Sequence, residues 1–494
     1  MKKNIFLFGI FLFYILQFQS CGQDITLSTD NQTGSFVKNA GMKKSPPSGS
    51  IVPGKKWLDT NGNEIKCQGG EIYQENGVFY WVGGNFNGND WRFAGINLYS
   101  STDLKNWTFR NTILTPASIS AAINPAAIVD LWVGRPVLTK KPNGQYIIIM
   151  GTGLGGGSVG NATCSTIDGN YTWQSYSKLL GHYNFNDHDI FKDTDGKTYI
   201  IFSTAQDLNT GNWYDAVITQ CDPNTMLPTS EVCRFGNGAL EGVSLFKNGS
   251  YYYFFGSQKD MWNGTSTKWY KSATLAGFSN ASWSTYTDLS YSPASTNGWD
   301  TQNDFVLQVN GNYYYCGDRW SNFTGHGDGR YVWQPLKFYN SNPYLQWYDW
   351  WTYNSSSQTW SSTLQAGMAG GFETTDNGNW TLSFGATIVQ DAANSYTATH
   401  CAKMTSYGTV SANVSVTANS TYKLQIMGKG TACTGKIFVS YNGFYLDAPV
   451  TSTSYAPISL TFTTPSNINS VTVGVFNATG SSTFIADDFE LIKQ

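Results

Sequence analysis

The chain has 494 residues, which is too many for one ordinary core and favours two domains. Only 13% of the residues are charged and the net charge is -3. This balance does not favour a nucleic-acid or polyanion partner, whose binding depends on a basic face. Aromatic residues make up 16% of the chain, and such a high share favours strands.

Residues 1–21 have the features of an export signal: two lysines, an apolar run too short to span a membrane, and a small residue directly before Cys21. The last feature resembles the cleavage box of bacterial lipoproteins, so we expect a lipid anchor on Cys21. The chain is then a cell-surface or outer-membrane lipoprotein of a bacterium, and plain secretion with cleavage nearby is the alternative. The polar residues 22–50 are expected to form a flexible tether.

Export permits disulfides, and the chain has eight cysteines, Cys21 included. Cys221 and Cys233 flank a turn, which suggests a bridge across a hairpin, and Cys401 and Cys433 are a second candidate pair. No CxxC pair or Cys/His cluster has the spacing of a metal site, which argues against a catalytic zinc. We expect no cofactor for catalysis.

A recurring hairpin predicts the fold. An Asn-Gly or Asp-Gly pair begins at residues 76, 143, 195, 248 and 310, and each pair precedes a largely apolar strand. Such pairs suit the positive φ angles of a type I′ turn. The pairs lie 52–67 residues apart, the length of a four-stranded propeller blade with its loops. The sequence therefore predicts an all-β fold in which residues 51–353 form a five-bladed β-propeller. A long β-sandwich would not repeat with this period.

The composition changes after the propeller. Residues 354–370 begin with a serine-rich stretch and are expected to form a linker. Residues 371–494 are poor in Lys and Arg and rich in Thr, Ser and Val, and they are predicted to form a jelly-roll-like β-sandwich. Its predicted strands are Val410–Val416, Tyr422–Met427, Lys436–Tyr441, Ile458–Thr463 and Ser470–Val475.

Acidic residues at the blade starts are the candidates for chemistry, because the first strands of a propeller surround its central funnel. Glu241 lies in an apolar approach to the fourth repeat, where burial raises the pKa of a carboxyl as a general acid requires. A salt bridge at the blade edge is the alternative. Asp187 precedes the strand of the third repeat and could tune the acid by proximity. Asp189 competes with it because the strand register is open, and a turn-capping role is the alternative for Asp187.

Other polar residues lie near the same strand starts. Arg135, in a Trp-Val-Gly-Arg-Pro segment, is either structural or a donor to a sugar hydroxyl. Asp318 and Arg319 form a strand pair of the kind that is usually structural. The second repeat has Gly134 where an acidic residue is expected. The first repeat offers Gln68 and Glu71.

These segments together resemble glycoside hydrolase family 43 and, within it, the branch that includes exo-β-1,3-galactanases. The resemblance spans about residues 53–351. Single motifs are weakly specific, whereas their order and their registration with five repeats are specific. The matching segments are Trp57–Gly62, Gln68–Gly70, Trp132–Pro136, Asp187 with Phe191–Gly196, Glu241, Thr301–Val306, Gly317–Trp320 and Tyr331–Leu336.

The resemblance implies a five-bladed propeller that hydrolyses glycosides with inversion, with Glu241 as general acid and Asp187 as modulator of its pKa. Most of the family takes its base from an Asp in the first blade, which this chain lacks. Gln302 matches the glutamine implicated in the exo-galactanase branch, where it would position the water or act through its imidic tautomer. Candidate sugar-binding residues are Gln68, Trp132, Arg135, Trp262, Asp318, Arg319 and Trp320.

Gly134 departs from the exo-galactanase branch, which carries a glutamate there in contact with the sugar. A related branch with a Trp-Val-Gly-Arg motif includes enzymes that act on arabinofuranosyl or galactofuranosyl units. The resemblance therefore defines the reaction class better than the sugar.

The C-terminal domain resembles carbohydrate-binding modules of the β-sandwich type at Gly371–Glu373, Asn379–Trp380 and Ile485–Leu491. The resemblance implies a structural Ca2+ held by Glu373 and Asp488 through oxygen ligands. A sandwich that only braces the propeller is the alternative.

The sequence leaves three candidate functions open for this chain. The first is a monomeric exo-acting, inverting hydrolase that releases galactose from β-1,3-galactan or arabinogalactan side chains, polysaccharides of the plant cell-wall type. The second is an α-L-arabinofuranosidase or galactofuranosidase of the same family. The third is a glycan-binding lipoprotein without catalysis, which the missing first-blade Asp and Gly134 favour and Glu241 opposes. A levanase or invertase relationship is disfavoured, because the early Asp nucleophile of those enzymes is missing.

Overall fold

The computed structural model describes residues 49–494 except 87–92, 121–131, 184–186, 261, 293–294, 321–329, 363–369, 373–379, 392–393, 397–399, 431–433, 451 and 494. The predicted signal, the anchor at Cys21 and the tether up to residue 48 lie outside the described residues. Within the described ranges, no helix is both long and apolar enough to cross a membrane.

The described strands between residues 68 and 346 form the five blades of a β-propeller, each an antiparallel sheet of four consecutive strands. The first strands of successive blades contact one another around a closed ring. Blade 1 contains Gln68–Glu75, Val78–Phe86, Phe93–Ser101 and Thr108–Leu114, and blade 2 contains Val133–Lys140, Tyr146–Thr152, Ser158–Cys164 and Thr172–Ser177. Blade 3 contains His188–Lys192, Thr198–Asp207, Trp213–Cys221 and Pro228–Phe235, and blade 4 contains Leu240–Asn248, Tyr251–Gln258, Thr267–Ser272 and Thr287–Asp288. Blade 5 contains Gln302–Val309, Asn312–Arg319, Arg330–Tyr339 and Asn342–Gln346.

Short elements supplement the blades. Two additional strands, His182–Tyr183 in blade 3 and Ser290–Ser292 in blade 5, extend their sheets. Pro116–Ser120 is an α-helix, and the 3-10 segments are Leu154–Gly156, Leu179–Gly181 and Leu275–Asn280. The predicted all-β propeller is confirmed.

The predicted hairpins all form, but their turns differ. Asn76 and Gly77 both have positive φ, 52° and 76°, as a type I′ turn requires. Asn310 and Gly311 do the same, at 46° and 75°. In the turns at residues 143 and 195 only the glycine is left-handed. The fourth turn is shifted by one residue, because Asn248 pairs with Tyr251 and Gly249 takes the first central position, as in a type II′ turn.

A small sheet joins the two ends of the propeller. Ser50–Ile51 pairs with Trp351–Asn354, which pairs in turn with Thr359–Ser361. The beginning of the predicted linker 354–370 is therefore a hairpin, because the serine-rich stretch supplies its turn. Beneath this sheet the indole of Trp57 packs 5.0 Å from the ring of Trp333, both buried. Burial of each such side chain contributes about 1.5–3 kcal/mol to closing the ring.

The predicted bridge between Cys221 and Cys233 is wrong. Both cysteines are free and buried. Cys221 pairs in the sheet with Pro228, whereas Cys233 pairs with Ile218, so the two thiols are offset along the hairpin. The Cys233 thiol donates instead to the carbonyl of Leu275 at 3.3 Å. Cys401 is also free, and its expected partner Cys433 lies outside the described residues.

The C-terminal strands form a sandwich of two five-stranded antiparallel sheets. Its core is one cluster of buried apolar residues that includes Phe372, Trp380 and Phe489. All five predicted strands are present: four are extended by a few residues, and the one predicted over Val410–Val416 runs over Thr409–Ser415. The first sheet contains Thr381–Leu382, Thr409–Ser415, Ser470–Asn477, Gly435–Tyr441 and Phe444–Val450, in that order. The second contains Ala386–Gln390, His400–Met404, Phe484–Lys493, Thr421–Gly430 and Ala456–Thr463.

Candidate active site

Five equivalent positions, one from each blade, meet at one end of the propeller axis. In blades 1, 2, 4 and 5 the first strand carries a register shift close to its start. A bulge of this kind re-aims the side chain beside it. The residues at these positions, with the one directly before the first strand of blade 3, are Gln68, Gly134, Asp187, Glu241 and Gln302. All five line a single cavity of about 330 Å³.

Aromatic side chains form much of the cavity wall. Phe86, Trp132, Trp262 and Trp320 all line it. The ring centroids of Trp262 and Trp320 lie 5.1 Å apart, and those of Phe86 and Trp320 lie 6.1 Å apart. Apolar walls with a few converging polar groups are typical of small-molecule sites. Flat rings of this kind suit the C–H faces of a pyranose.

Glu241 is the acidic residue best suited to donate a proton. It stands at the start of the first strand of blade 4 and is largely buried. Burial, and after it the negative charge of Asp187, raise the pKa of Glu241 to about 8. Arg135, Lys259 and a hydrogen bond from Gln302 oppose this rise. The carboxyl is therefore protonated at neutral pH, as a general acid must be.

Asp187 is held by two donors. Its Oδ1 accepts from Nε of Arg135 at 3.1 Å, and its Oδ2 accepts from the backbone N–H of Gly242 at 2.7 Å. Gly242 directly follows Glu241, so this bond ties the carboxylate of blade 3 to the acid of blade 4. Both hydrogen bonds fix the position of the Asp187 carboxylate beside Glu241.

Gln302 connects the acid to the rest of the site. Its Nε2 donates to Oε1 of Glu241 at 2.9 Å. Its Oε1 accepts from Nη2 of Arg135 at 2.6 Å and from the indole N–H of Trp320 at 3.1 Å. All the sequence-predicted catalytic residues are thus in one hydrogen-bonded group.

Arg135 lies at the centre of this group. It sits in the bulge of blade 2 with φ of 52°, and it is almost fully buried. Besides Asp187 and Gln302, its guanidinium forms an ion pair with Asp304 and donates to the carbonyl of Asn303 at 3.4 Å. Most of the Arg135 donors bind protein groups, which supports the structural alternative, and because Arg135 also lines the cavity its bond to a sugar hydroxyl stays a prediction.

Gln68 has an unused amide in the cavity. Its side chain is 1% exposed, and its Oε1 and Nε2 have no hydrogen-bond partner among the described residues. A buried amide without partners is costly unless a ligand satisfies it. Gln68 is thus available to a bound hydroxyl, which fits its predicted sugar-binding role.

The blade 2 position, which carries a polar side chain in the other four blades, is Gly134, and the indole of Trp132 packs against it. A Cβ added to Gly134 would lie 2.7 Å from Cζ2 of Trp132. The absence of a side chain at Gly134 therefore makes room for Trp132, which also lines the cavity.

Two predicted sugar-binding residues do not line the described cavity. Oδ2 of Asp318 accepts from the backbone N–H of Gly69, and Nη2 of Arg319 donates to the carbonyl of Trp299 at 2.8 Å. Both side chains are buried, so their assignment as sugar ligands is corrected to a structural role. The correction agrees with the usual role of such a strand pair.

The structure also resolves two choices that the sequence left open. Asp187 lines the cavity, whereas Asp189 does not, and Oδ2 of Asp189 accepts from the backbone N–H of Leu245 at 2.9 Å. Gln68 lines the cavity, whereas Glu71 does not. Burial raises the pKa of Glu71 well above its usual range.

Sequence reasoning missed Phe86 and Asp304. Phe86 ends the second strand of blade 1, and nothing in its local pattern distinguishes it from a core aromatic residue. Asp304 lies two residues after Gln302 and directly before the apolar run of the same strand, and an acidic residue at that place was the recoverable signal of a buried ion pair. An acidic residue within an apolar strand needs such a partner.

The structure describes only one of the two residues that are predicted to hold Ca2+. Glu373 lies outside the described residues. Oδ1 of Asp488 and Oδ1 of Asp349 both lie close to Gly371, so carboxylate oxygens of the kind that Ca2+ prefers are present there. The described residues contain no group of three or more His, Cys, Asp or Glu that could hold a metal ion. Calcium stays a prediction.

A sequence profile described as Glycosyl hydrolases family 43 matches residues 70–329, more than half of the 494 residues. The matched segment contains the cavity-lining positions of blades 2 to 5.

The solved structures and curated proteins to which the chain is similar share about a quarter of their aligned residues with it. The crystal structure of an exo-β-1,3-galactanase from Phanerochaete chrysosporium with galactose is 25% identical, covers 88% of this chain and all of its own, and has a TM-score of 0.58. An extracellular endo-α-(1→5)-L-arabinanase of Bacillus subtilis is 25% identical over 32% of this chain and 50% of its own length. A β-D-galactofuranosidase of Aspergillus niger is 27% identical over 36% of this chain and 52% of its own. The chain thus spans about half the length of these two curated relatives.

Proposed function

The chain belongs to glycosyl hydrolases family 43, a family of glycoside hydrolases, and on this basis we propose that it releases galactose from β-1,3-galactan or arabinogalactan side chains by exo-acting, inverting hydrolysis. The observation that carries the proposal is Glu241, a carboxyl with pKa raised to about 8 in a small aromatic-walled cavity. Likeness to the exo-β-1,3-galactanase from Phanerochaete chrysosporium supports the choice of substrate.

The proposed reaction uses the cavity as a one-step hydrolysis site. Glu241 gives its proton to the glycosidic oxygen while the bond from that oxygen to the anomeric carbon breaks. A water molecule attacks the anomeric carbon from the opposite face, and the proton it loses passes to solvent. Glu241 then regains a proton from solvent. Asp187 keeps the acid protonated between turnovers through its negative charge.

The remaining cavity residues are proposed to bind the sugar. The amide of Gln68 offers one donor and one acceptor direction to hydroxyl groups. The rings of Trp132, Trp262 and Trp320 cover apolar C–H faces. A cavity of about 330 Å³ lies at the small end of the range for ligand sites, which supports action on a chain end.

A second candidate is an α-L-arabinofuranosidase or galactofuranosidase. Its support is the blade 2 position, where Gly134 and the Trp132 ring replace a polar side chain. The Aspergillus niger relative, described as a β-D-galactofuranosidase, adds to that support.

Location and the second domain belong to the same proposal. We propose that the chain is exported and anchored through Cys21, which would hold it at the cell surface near polymeric substrate. The sandwich of residues 371–494 is proposed to bind carbohydrate. Labelling with a radioactive fatty acid and a Cys21→Ala variant test the anchor, and a label that persists in the variant would contradict it.

Product analysis tests the activity. The purified protein is incubated with β-1,3-galactan, arabinogalactan and arabinan, and the released sugars are separated and identified. Free galactose from β-1,3-galactan is the expected result, with none from a Glu241→Gln variant. Release of arabinose or galactofuranose alone would establish the second candidate. Binding without any release would establish the glycan-binding alternative.

A further inference from the structure

We propose that Gln302 is a positioning residue that acts through Glu241, with its amide fixed as a hydrogen-bond donor to that carboxyl and unable to take the proton of the attacking water. The inference rests on the proposed function, because it requires Glu241 to be the general acid. Gln302 is therefore not the general base of the reaction, although a glutamine at this position suggests that role.

The orientation of the amide follows from the chemistry of its neighbours. Nη2 of Arg135 and the indole N–H of Trp320 can only donate hydrogen bonds. The Gln302 atom that both contact, at 2.6 and 3.1 Å, must therefore be oxygen. The NH2 group then has to face Glu241, which it meets at 2.9 Å.

This orientation leaves Gln302 without basic character. The two lone pairs of its oxygen are already used by Arg135 and Trp320, so neither is available to a water molecule. An imidic tautomer would place a hydroxyl on that oxygen, opposite two groups that cannot accept its proton. The surroundings therefore stabilise the ordinary amide, whose nitrogen is not a base.

Arg135, which accepts no hydrogen bond and donates to Gln302, is itself held in place by other side chains. The guanidinium of Arg135 is held by the carboxylates of Asp187 and Asp304 on two sides. Gln302 is 9% exposed and Arg135 is 4% exposed, so solvent does not compete for these bonds. A buried, charge-assisted network of this kind holds its members in one geometry.

The donor from Gln302 has a predictable effect on the acid. The charged groups that act on Glu241 are Asp187, Arg135 and Lys259. The Gln302 hydrogen bond lowers the pKa of Glu241 from the level that burial and Asp187 produce. Removal of that donor should raise the pKa of Glu241, and the alkaline limb of the rate profile should move to higher pH by about one unit.

The first experiment compares two leaving groups in wild type and a Gln302→Met variant. One substrate is the natural glycoside, and the other is a dinitrophenyl glycoside of the same sugar, which needs little help from an acid. If Gln302 acts through Glu241, kcat should fall about 10–100-fold on the natural substrate and much less on the dinitrophenyl glycoside. Equal losses on both substrates would overturn the inference.

Sodium azide gives a second test of the base role. Azide attacks the anomeric carbon without losing a proton, so it replaces water and base together. Azide should not restore the rate of the Gln302→Met variant, and restoration with formation of a glycosyl azide would overturn the inference.

Gln68→Met is the matched control. It removes an amide from the equivalent position of blade 1, which lines the same cavity but has no hydrogen bond to Glu241. KM should rise in this control while the alkaline limb stays in place. If Glu241→Gln is as active as wild type, the proposed function fails together with the inference. If Glu241→Gln is inactive and Gln302→Met shows no shift of the limb, only the inference fails.

Discussion

Asp187→Asn tests how Glu241 is kept protonated. Asp187 accepts from Nε of Arg135 at 3.1 Å and from the N–H of Gly242 at 2.7 Å. Asparagine has the same shape but only one oxygen, so its NH2 group must face one of these donors whichever way the amide turns. The lost hydrogen bond costs about 1–3 kcal/mol of folding free energy. Arg135 keeps its ion pair with Asp304, which limits the cost.

The catalytic effect follows from charge. The negative charge of Asp187 raises the pKa of Glu241 and so contributes to its value of about 8. The variant removes that charge and leaves Arg135 less neutralised, and both changes lower the pKa of Glu241. Nearby charges shift a carboxyl by about one to three pH units. Because the acid works only while protonated, the alkaline limb of kcat should move down by about one unit or more.

The assay is kcat for sugar release across the pH range, with the melting temperature measured at each pH as a control for unfolding. The expected result is a variant that keeps activity at acidic pH and loses it at lower pH than wild type does. A limb that stays in place, or moves to higher pH, would refute the electrostatic coupling of the two carboxyls.

The remaining predictions concern the acid, the blade 2 position and the cysteines. Glu241→Gln should lower kcat on polysaccharide by about 10²–10⁴-fold with little change in substrate affinity, and calorimetric titration with galactan would detect an unexpected loss of binding. Gly134→Ala should push the Trp132 indole into the cavity, because the added Cβ would lie 2.7 Å from it, and should raise KM about tenfold. An unchanged KM would show that Trp132 does not contact the sugar. Reducing agent should leave the melting temperature unchanged, since Cys221 and Cys233 are free thiols, and a drop would indicate a bridge.

The repeat of Asn-Gly and Asp-Gly pairs was enough to predict the propeller, because each pair marks the first hairpin of a blade and its period is the length of a blade. The turn types were less predictable. Gly249 occupies a II′ position because the preceding strand continues through Asn248, and the sequence gives no sign of where that strand ends.

The sequence predicted those site residues that have a side chain suited to catalysis and also lie at the start of a blade. Glu241, Asp187 and Gln302 were identified and do meet in one cavity. The choice between Asp187 and Asp189 was open because side chains two residues apart in a strand point to the same face, so alternation does not separate them. The regular strand begins at His188, which leaves Asp187 before the strand and Asp189 within it, and the sequence does not mark that start.

The side chains that contact each other across the central funnel could not be predicted from the sequence. The contact of Arg135 with Asp304 joins blades 2 and 5 over 169 residues of sequence. The bridge assigned to Cys221 and Cys233 failed for a related reason, since the register of a hairpin with bulges cannot be counted from its turn. Local patterns predict elements and their order, whereas side-chain pairing depends on register.

Proton NMR of the first product formed from β-1,3-galactan identifies the sugar and its anomeric form together, so it tests the proposed exo-acting, inverting release of galactose. We expect free galactose as the first product, released as the α-anomer before mutarotation and only by protein with Glu241 intact. First-formed β-galactose, oligosaccharides, or equal release by Glu241→Gln would contradict it.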